Sequence, residues 1–339
     1  MAVEVQSPSA LERALSDPAC FERWSPLAGA PALVVDAAGL CTPAAGLPDR
    51  PRLRLEQLPV VTVGLGAPPG EAPPESLAAA LDLTVSDRSQ LDPLLDAIRR
   101  TPLASLCLVQ LLRQTERRSI HEGLLAESWV YSTLQAGPEF RRWLSGRTPR
   151  KPRPLAGPAV RAERSGARLR IRLDRPEKRN AFGTEMRDGL CEALLLVLQD
   201  DAIEEVWLSG EGPAFCSGGD LDEFGTLPDP ATAHAIRCQR HPARLLAACA
   251  GRVHAQVHGA CVGAGVELPA FCHHVVAVPG AFFQLPEVRM GLVPGAGGTV
   301  SLPRRIGRQR TAWLALAGAR LDLETARVWG LVDGEGAAP

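Results

Sequence analysis

Two glutamates stand beside glycine-rich segments, where carboxylates could transfer protons to or from a bound molecule. Glu267 follows a small-residue turn in HGACVGAGVEL (258–268), and Glu287 lies twenty residues later in QLPEVRMGLVPGAGG (284–298). Carboxylates act as general acids and bases when the reacting group is within hydrogen-bond reach. Each residue also has a simpler interpretation, because Glu267 could complement a helix dipole and Glu287 could face solvent. The spacing raises the question of whether the two act on one substrate.

Two turns in the same half of the chain could supply backbone hydrogen-bond donors. In EGPAFCSGGDLDEF (211–224), two glycines precede Asp220, and residues 263–265 are all small. Glycine leaves backbone amides accessible to a ligand, and a helix that begins with small residues suits an anion or a developing negative charge. A tight turn capped by Asp220, or close packing of a helix on a sheet, would give the same patterns.

The elements around these turns alternate in type. Apolar and polar residues alternate in RLRIRLDRP (168–176) as in a half-buried strand, and further strands are predicted at 204–210, 253–258 and 273–280. Residues 187–200 have helical spacing. Strands that alternate with helices predict an α/β fold with a mainly parallel sheet.

The first part of the chain changes character near residue 88. Before it, short strands are predicted at 31–39, 58–64 and 80–86; after it, the pattern is helical, with a capping box at SIHE (119–122) and a stop at Gly137-Pro138. The proline-rich stretch SGRTPRKPRPLAGP (145–158) is typical of a linker. We therefore expect a small α/β or irregular extension, a helical region, a linker and a core, over residues 1–88, 89–150, 151–160 and 161–339.

Composition and charge exclude several classes of partner. The chain has 339 residues, 45% of them hydrophobic, and a formal net charge of -1, which offers no field for nucleic acid or an anionic membrane. The start of the chain lacks a secretory pattern, and no apolar run reaches the roughly eighteen residues needed to span a bilayer. Nine scattered cysteines, several in apolar surroundings (Cys107, Cys191, Cys249, Cys261), predict reduced, buried thiols. We expect a cytoplasmic protein with no nucleic-acid or membrane partner.

Metal and thiol chemistry are not expected. Adjacent residues of a strand point to opposite faces, so His273 and His274 cannot both bind one ion. Cys216 lies inside a glycine-rich turn but has no base nearby in sequence to activate it.

Four segments, in order, resemble the enoyl-CoA hydratase/isomerase, or crotonase, family. They are RPEKRNAF (175–182), FCSGGDL (215–221), HGACVGAGVEL and FFQLPEVRMGLVPGAGGT (282–299), and the resemblance runs over residues 165–335. It implies a crotonase-like ββα spiral that acts on an acyl-CoA, with coenzyme A as part of the substrate and no separate cofactor. It also implies a role in fatty acid metabolism and a homotrimer or hexamer.

The resemblance assigns roles to the residues at the turns. The N–H groups of Gly219 and Ala264 would bind the thioester oxygen as it gains negative charge. Glu267 and Glu287 would share a water, with the amide of Gly295 aimed at the same water. Because relatives that only isomerise or hydrolyse commonly lack one glutamate, the pair favours an enoyl-CoA hydratase-like lyase. Alternatives are an isomerase, hydrolase or cofactor-independent dioxygenase of the same fold, or a non-catalytic acyl-thioester-binding subunit.

Coenzyme A would meet the segment RPEKRNAF. The resemblance assigns the adenine to the backbone around Arg179, Asn180 and Ala181, with Lys178 or Arg179 meeting phosphate and Asp220 in the same binding set. A basic surface turn is the simpler interpretation. The acyl chain, and the choice between coenzyme A and a carrier protein, do not follow from these residues.

The segment at 92–149 resembles the helices that usually end the family's chains. We therefore expect these helices to have moved to the N-terminal side, as in a circular permutation. An unrelated helical domain that closes the site is the alternative. One departure concerns ligand binding, since Gly146 precedes Arg147 where the family often has a lysine near its terminal arginine.

Overall fold

The computed structural model describes residues 4–41, 54–148, 157–226 and 229–336. The predicted linker therefore falls mostly outside the described residues. Within them the chain forms three β-sheets surrounded by helices, so the predicted α/β fold is confirmed.

The central sheet has six strands. From one edge to the other they are Gly334–Glu335, His274–Ala277, Val253–Val257, Glu205–Gly210, Arg168–Leu173 and Val160–Ser165. All neighbouring pairs are parallel except the last, which is an antiparallel hairpin. The predicted strands at 168–176, 204–210, 253–258 and 273–280 are confirmed within a few residues. Every second residue of Val253–Val257 is buried, which is the alternation expected of a strand packed on one face.

A small sheet continues the strands that reach the glycine-rich turns. It contains Ala260–Val262 and Phe282–Gln284 in parallel, and Leu321–Asp322 antiparallel to the latter. Each of the first two strands leads directly into a segment that carries one of the two glutamates. The small sheet therefore sets the relative position of those segments.

A third sheet lies in the N-terminal part of the chain, and its four strands are all parallel. They are Val5–Gln6, Ala32–Asp36, Val61–Leu65 and Leu83–Val85, in that order. Val34 and Val63 face the core shared with the rest of the chain, whereas Leu33 and Val35 face a separate apolar cluster with Leu11. The three strands predicted in this region are confirmed.

Helices cover the sheets, and many begin with proline, which suits the first helical position because its missing N–H would have no partner there. The α-helices are Pro8–Ser16, Cys20–Arg23, Arg88–Arg100, Pro102–Leu112, Ile120–Gln135, Pro138–Ser145, Thr184–Gln199, Pro230–Gln239, Pro242–Cys249, Ala264–Glu267, Gly298–Ile306, Arg308–Ala317 and Leu323–Val328. The predicted capping box is confirmed, since Ser119 and Glu122 hydrogen-bond to each other's backbone. The helix that it starts ends at Gln135, before the predicted stop.

Candidate active site

The two residues expected to bind a developing oxyanion lie on segments that pair with each other. Cys216 and Cys261 form a parallel bridge, and the Val262 N–H donates to the Cys216 carbonyl at 2.9 Å. Gly219 and Ala264 each lie three residues beyond the bridge, so parallel pairing brings them toward the same end. Among the described residues, neither N–H donates to a backbone carbonyl. The geometry is compatible with two amides that serve a ligand.

Glycine is required in the second turn because other groups approach its backbone closely. Gly263 has φ +51°, and a Cβ on it would lie 2.4 Å from Oε1 of Glu287. A Cβ on Gly265 would lie 2.4 Å from the carbonyl oxygen of Cys216. From the sequence alone, close packing of the turn and amides accessible to a ligand were alternatives. In this turn, close packing at Gly263 and Gly265 occurs together with an Ala264 N–H that donates to no backbone carbonyl among the described residues.

Glu267 is buried and is held by the glycine-rich turn that follows Glu287. Its Oε2 accepts hydrogen bonds from the N–H groups of Ala296 at 2.7 Å and Gly298 at 2.8 Å. The N–H of Gly295, which was predicted to donate to the shared water, is therefore not one of the two amides that bind this carboxylate. Gly295 instead lies against the ring of Tyr131, whose Cδ2 would be 2.5 Å from a Cβ at that position.

Glu287 is also buried, with 8% of its surface exposed, so the interpretation as a solvent-facing carboxylate is wrong. It begins the short 3-10 helix Glu287–Met290. Its Oε2 is buried and has no hydrogen-bond partner among the described residues. A buried oxygen without a partner is costly and marks a site for a ligand or a proton.

A third carboxylate, Glu127, reaches the site from the helix Ile120–Gln135. Its two oxygens accept from the N–H of Gly297 at 2.7 Å and from the N–H and hydroxyl of Thr299 at 2.9 and 2.7 Å. Glu127 and Glu267 therefore hold the turn 295–298 together. Sequence reasoning missed Glu127, although it shares a helix face with Leu124 and Tyr131, and a charge on such an apolar face was an available signal.

The three carboxylates titrate far from their ordinary range. Burial raises the pKa of Glu267 well above its usual value, and the charges of Glu287 and Glu127 add to this while two amides oppose it. Burial, with the charge of Glu127, raises the pKa of Glu287 to about 8. Burial raises the pKa of Glu127 to about 7, although the three hydrogen bonds that this carboxylate accepts lower it. Like charges buried together cannot all ionise, so the group retains protons at neutral pH.

A cavity of about 550 Å³ opens beside Gly295 and Tyr131. Glu267 and Glu287 are not among its lining residues, so the cavity meets the carboxylate cluster at Gly295. One wall is aromatic, because Phe140, Phe182 and Phe224 line the cavity, and Phe224 also lies over Gly219. The cavity is therefore enclosed partly by helices from the N-terminal half of the chain.

Comparison with known proteins decides the family. Residues 163–335 match the family model for enoyl-CoA hydratase/isomerase. The chain belongs to the enoyl-CoA hydratase/isomerase family.

Among its curated relatives, it is 37% identical over 168 residues to the 1,2-epoxyphenylacetyl-CoA isomerase of Escherichia coli (strain K12), which covers 48% of this chain and 64% of the relative. It is 35% identical over 164 residues to the 2,3-dehydroadipyl-CoA hydratase of the same organism, again with 48% and 64% covered. A solved enoyl-CoA hydratase from Thermoplasma volcanium GSS1 is 32% identical, with a TM-score of 0.49 and with 53% of this chain and 72% of that chain covered. The chain thus spans less than two thirds of these curated relatives.

Of the family's expected ligand residues, Lys178 and Asp220 bind each other. The ammonium of Lys178 lies 2.8 Å from a carboxylate oxygen of Asp220 and 3.1 Å from one of Asp222. Asp220 is buried, and Arg175 lies 3.6 Å from the same oxygen. The pair therefore fastens the turn 175–182 to the turn 215–221.

The rest of that turn is shaped by Asn180. Its side chain accepts from the Arg175 N–H at 2.7 Å and donates to the carbonyls of Glu211 and Ala214, both at 2.9 Å. Arg179 and Asn180 both adopt positive φ, at 52° and 54°, which turns the chain sharply before Ala181. Ala181 is buried, whereas the Arg179 side chain is exposed.

The structure also gives information on metal ligands, thiols and membrane segments. Within the described ranges, no three or more His, Cys, Asp or Glu side chains are grouped so that they could hold a metal ion. Burial raises the pKa of Cys216 to about 12, so this thiol is not activated. Cys191, Cys249 and Cys261 are buried as expected, but Cys107 is only partly buried. In the part of the chain that is described, every helix is too short or too polar to cross a membrane.

Proposed function

We propose that this protein adds water to, or removes it from, an enoyl-CoA thioester. The observation that carries the proposal is the difference between the two buried glutamates. Glu267 accepts from two N–H donors, which oppose the rise in its pKa that burial and the neighbouring carboxylates cause. Glu287 keeps a buried oxygen without a partner and has a pKa raised to about 8, which favours its protonated form at neutral pH. One base and one acid are what hydration requires.

In this mechanism, Glu267 takes a proton from water as the water oxygen bonds to Cβ. Glu287 gives its proton to Cα, so that water adds with both new bonds on one face. The amides of Gly219 and Ala264 stabilise the negative charge that develops on the thioester oxygen in between. The proton gained by Glu267 then returns to Glu287, which resets the pair. Gly295 would contribute its amide to the water, as the family resemblance implies.

Coenzyme A would bind along the turn 175–182, with the adenine near the backbone of Arg179, Asn180 and Ala181. Because Lys178 is already paired with two aspartates, Arg179 is the better candidate for a phosphate contact. On family grounds, we also propose that the protein is a cytoplasmic homotrimer or hexamer that acts in fatty acid metabolism.

The helices between residues 88 and 145 would take the place of the family's C-terminal helices, as in a circular permutation. Two contacts support this. Glu127 holds the turn 295–298, and Tyr131 packs on Gly295 inside it. The alternative is an unrelated helical domain that closes the site.

An isomerase is the second candidate, because the description of the matching family covers enoyl-CoA isomerases as well as hydratases. Shifting a double bond moves a proton between carbons and needs only one acid/base group. An isomerase that relies on Glu287 would therefore survive the loss of Glu267.

The test follows the absorbance of the conjugated enoyl thioester with crotonyl-CoA and with longer and aromatic enoyl-CoAs. We expect Glu267→Gln and Glu287→Gln each to reduce hydration by about 10²- to 10⁴-fold. Glu324→Gln, an exposed glutamate in the first turn of Leu323–Val328, is the matched control and should act like the wild type. No hydration of any substrate, together with double-bond migration that persists in Glu267→Gln, would establish the isomerase instead.

A further inference from the structure

Arg237 lines the cavity beside the carboxylate cluster and has no role in the proposed chemistry. It lies on the helix Pro230–Gln239, and its guanidinium stacks over the ring of Tyr131 at 4.9 Å from the ring centre. Tyr131 in turn touches Gly295. A cation therefore lies one ring away from the point where the cavity meets the catalytic residues.

Neutral groups fix the guanidinium in place. Its Nε donates to the hydroxyl of Ser128 at 2.9 Å, and its Nη2 donates to the hydroxyl of Ser132 and to the Ser128 carbonyl. Among the described residues, its Nη1 makes no hydrogen bond and no carboxylate forms an ion pair with it. Uncharged partners therefore orient Arg237, and its Nη1 group remains available to bind an anion.

The other charged groups around the cavity already have partners. Arg187 pairs with Asp188 at 2.9 Å, and Asp220 pairs with Lys178. Glu223 caps the helix that begins at Thr184. Arg141 is exposed and donates to a backbone carbonyl of its own turn. Within the described lining, Arg237 is a partly buried cation without an ion pair, and the attraction of Glu127 does not offset the lowering of its pKa by burial; such a cation favours binding of an anion.

We propose that the acyl group of the substrate carries a distal carboxylate, which Arg237 binds. This assignment rests on the proposed function, since it names the substrate class of the same site. A short chain fits, because only the Tyr131 ring separates the guanidinium from Gly295. The fork geometry of arginine matches a carboxylate better than a point charge would. A phosphate of coenzyme A is the other anion that could reach this side chain.

Binding of saturated acyl-CoAs tests the assignment without any hydration step. Isothermal calorimetry would compare glutaryl-CoA and adipyl-CoA with pentanoyl-CoA, hexanoyl-CoA and free coenzyme A. We expect the wild type to bind at least one of the carboxylated ligands about tenfold or more tightly than its alkyl counterpart. Arg237→Gln should bring that ratio close to one, and Arg237→Lys should keep part of it.

Arg240→Gln is the matched control, because Arg240 is the C-cap residue of the same helix, pairs with Glu192 and does not line the cavity. It should leave the ratio unchanged. Equal affinities for carboxylated and alkyl ligands in the wild type would overturn the proposal, as would an equal loss of affinity for free coenzyme A in Arg237→Gln, which would place a phosphate there. Hydration of neutral enoyl-CoAs is measured separately, so a failed hydratase assignment and a failed carboxylate site give different results.

Discussion

Two β-sheets in this chain, the parallel N-terminal sheet and the small sheet, have buried carboxylates near the ends of their strands, and these carboxylates have opposite surroundings. In the N-terminal sheet, Asp82 precedes Leu83–Val85 and accepts from Arg113 at 2.8 and 2.6 Å and from Thr62 at 2.8 and 2.9 Å. Burial alone would raise its pKa, but Arg113, with Arg308 and Thr62, brings the pKa below its ordinary value. Beyond the strand Phe282–Gln284 of the small sheet, Glu287 has no cation partner in the described structure, and its pKa is raised to about 8.

The difference teaches how burial can serve either structure or chemistry. A buried carboxylate paired with arginine stays charged at all ordinary pH values and can only hold elements together. A buried carboxylate without a cation titrates near neutrality and can exchange a proton with a substrate. The N-terminal sheet therefore carries a structural ion pair, whereas the small sheet leads to two buried carboxylates that we propose act as an acid and a base.

The largest effect is expected from breaking the ion pair of the N-terminal sheet. Arg113→Met should lower the free energy of unfolding by about 3–5 kcal/mol, because it leaves Asp82 buried without its main partner. Urea denaturation measures this. Arg117→Met removes an exposed pair with Glu56 and should cost less than about 1 kcal/mol. If Arg113→Met costs as little as Arg117→Met, Arg308 is sufficient to stabilise the charge of Asp82, and the contrast between the sheets is weaker than described.

The carboxylates beyond the small sheet should instead affect catalysis. A Cβ at position 298 would lie 2.6 Å from Cγ of Glu267, so Gly298→Ala must displace that carboxylate. Displacement of a catalytic group by about 1 Å reduces kcat on the order of 10²-fold. Gly251→Ala, where a Cβ meets nothing within 4 Å, is the control for steady-state kinetics. Equal rates in the two variants would argue against Glu267 as the base.

Stability should depend on pH in opposite directions for the two carboxylates. The folded pKa of Glu287 is raised, so the stability linked to it is complete below its ordinary pKa and is lost as the pH rises toward about 8. The folded pKa of Asp82 is lowered, so its contribution is present above the ordinary value and is lost as the pH falls. Glu287→Gln should remove on the order of 2 kcal/mol of the decline between pH 5 and 8. Thermal or urea unfolding across this range checks it; an unchanged slope would contradict the raised pKa.

The smallest effect is expected from the charge of Glu127, which an N-terminal helix places near the site. The charge of Glu127 raises the pKa of Glu287, so Glu127→Gln should shift the basic limb of the kcat/KM profile to lower pH. Glu122→Gln lies in the exposed first turn of the same helix and should leave the limb in place. If both variants keep the wild-type profile, the helix covers the site without tuning it, as an unrelated domain would.

Much of this fold followed from local patterns. The strands at 168–173 and 205–210, the capping box at Ser119 and the order of the glycine turns depend on neighbours within a few residues, and these were predicted. Glu127 was not, because its partners Gly297 and Thr299 lie 170 and 172 residues away. For the same reason the pairing of Lys178 with Asp220 was missed, and both were expected to meet ligand.

The sequence by itself indicated the family and the α/β class and singled out Glu267 and Glu287 as candidate site residues, because glycine turns and their spacing are local properties. Only the tertiary structure decided which carboxylates are neutralised and which titrate. That outcome depends on whether a distant cation reaches a buried oxygen, as Arg113 reaches Asp82, or whether only amides and other carboxylates do, as at Glu267 and Glu287. Charges interact strongly in the interior because its dielectric constant is low. Interactions between residues far apart in the sequence leave no periodic pattern, so only the folded structure shows them.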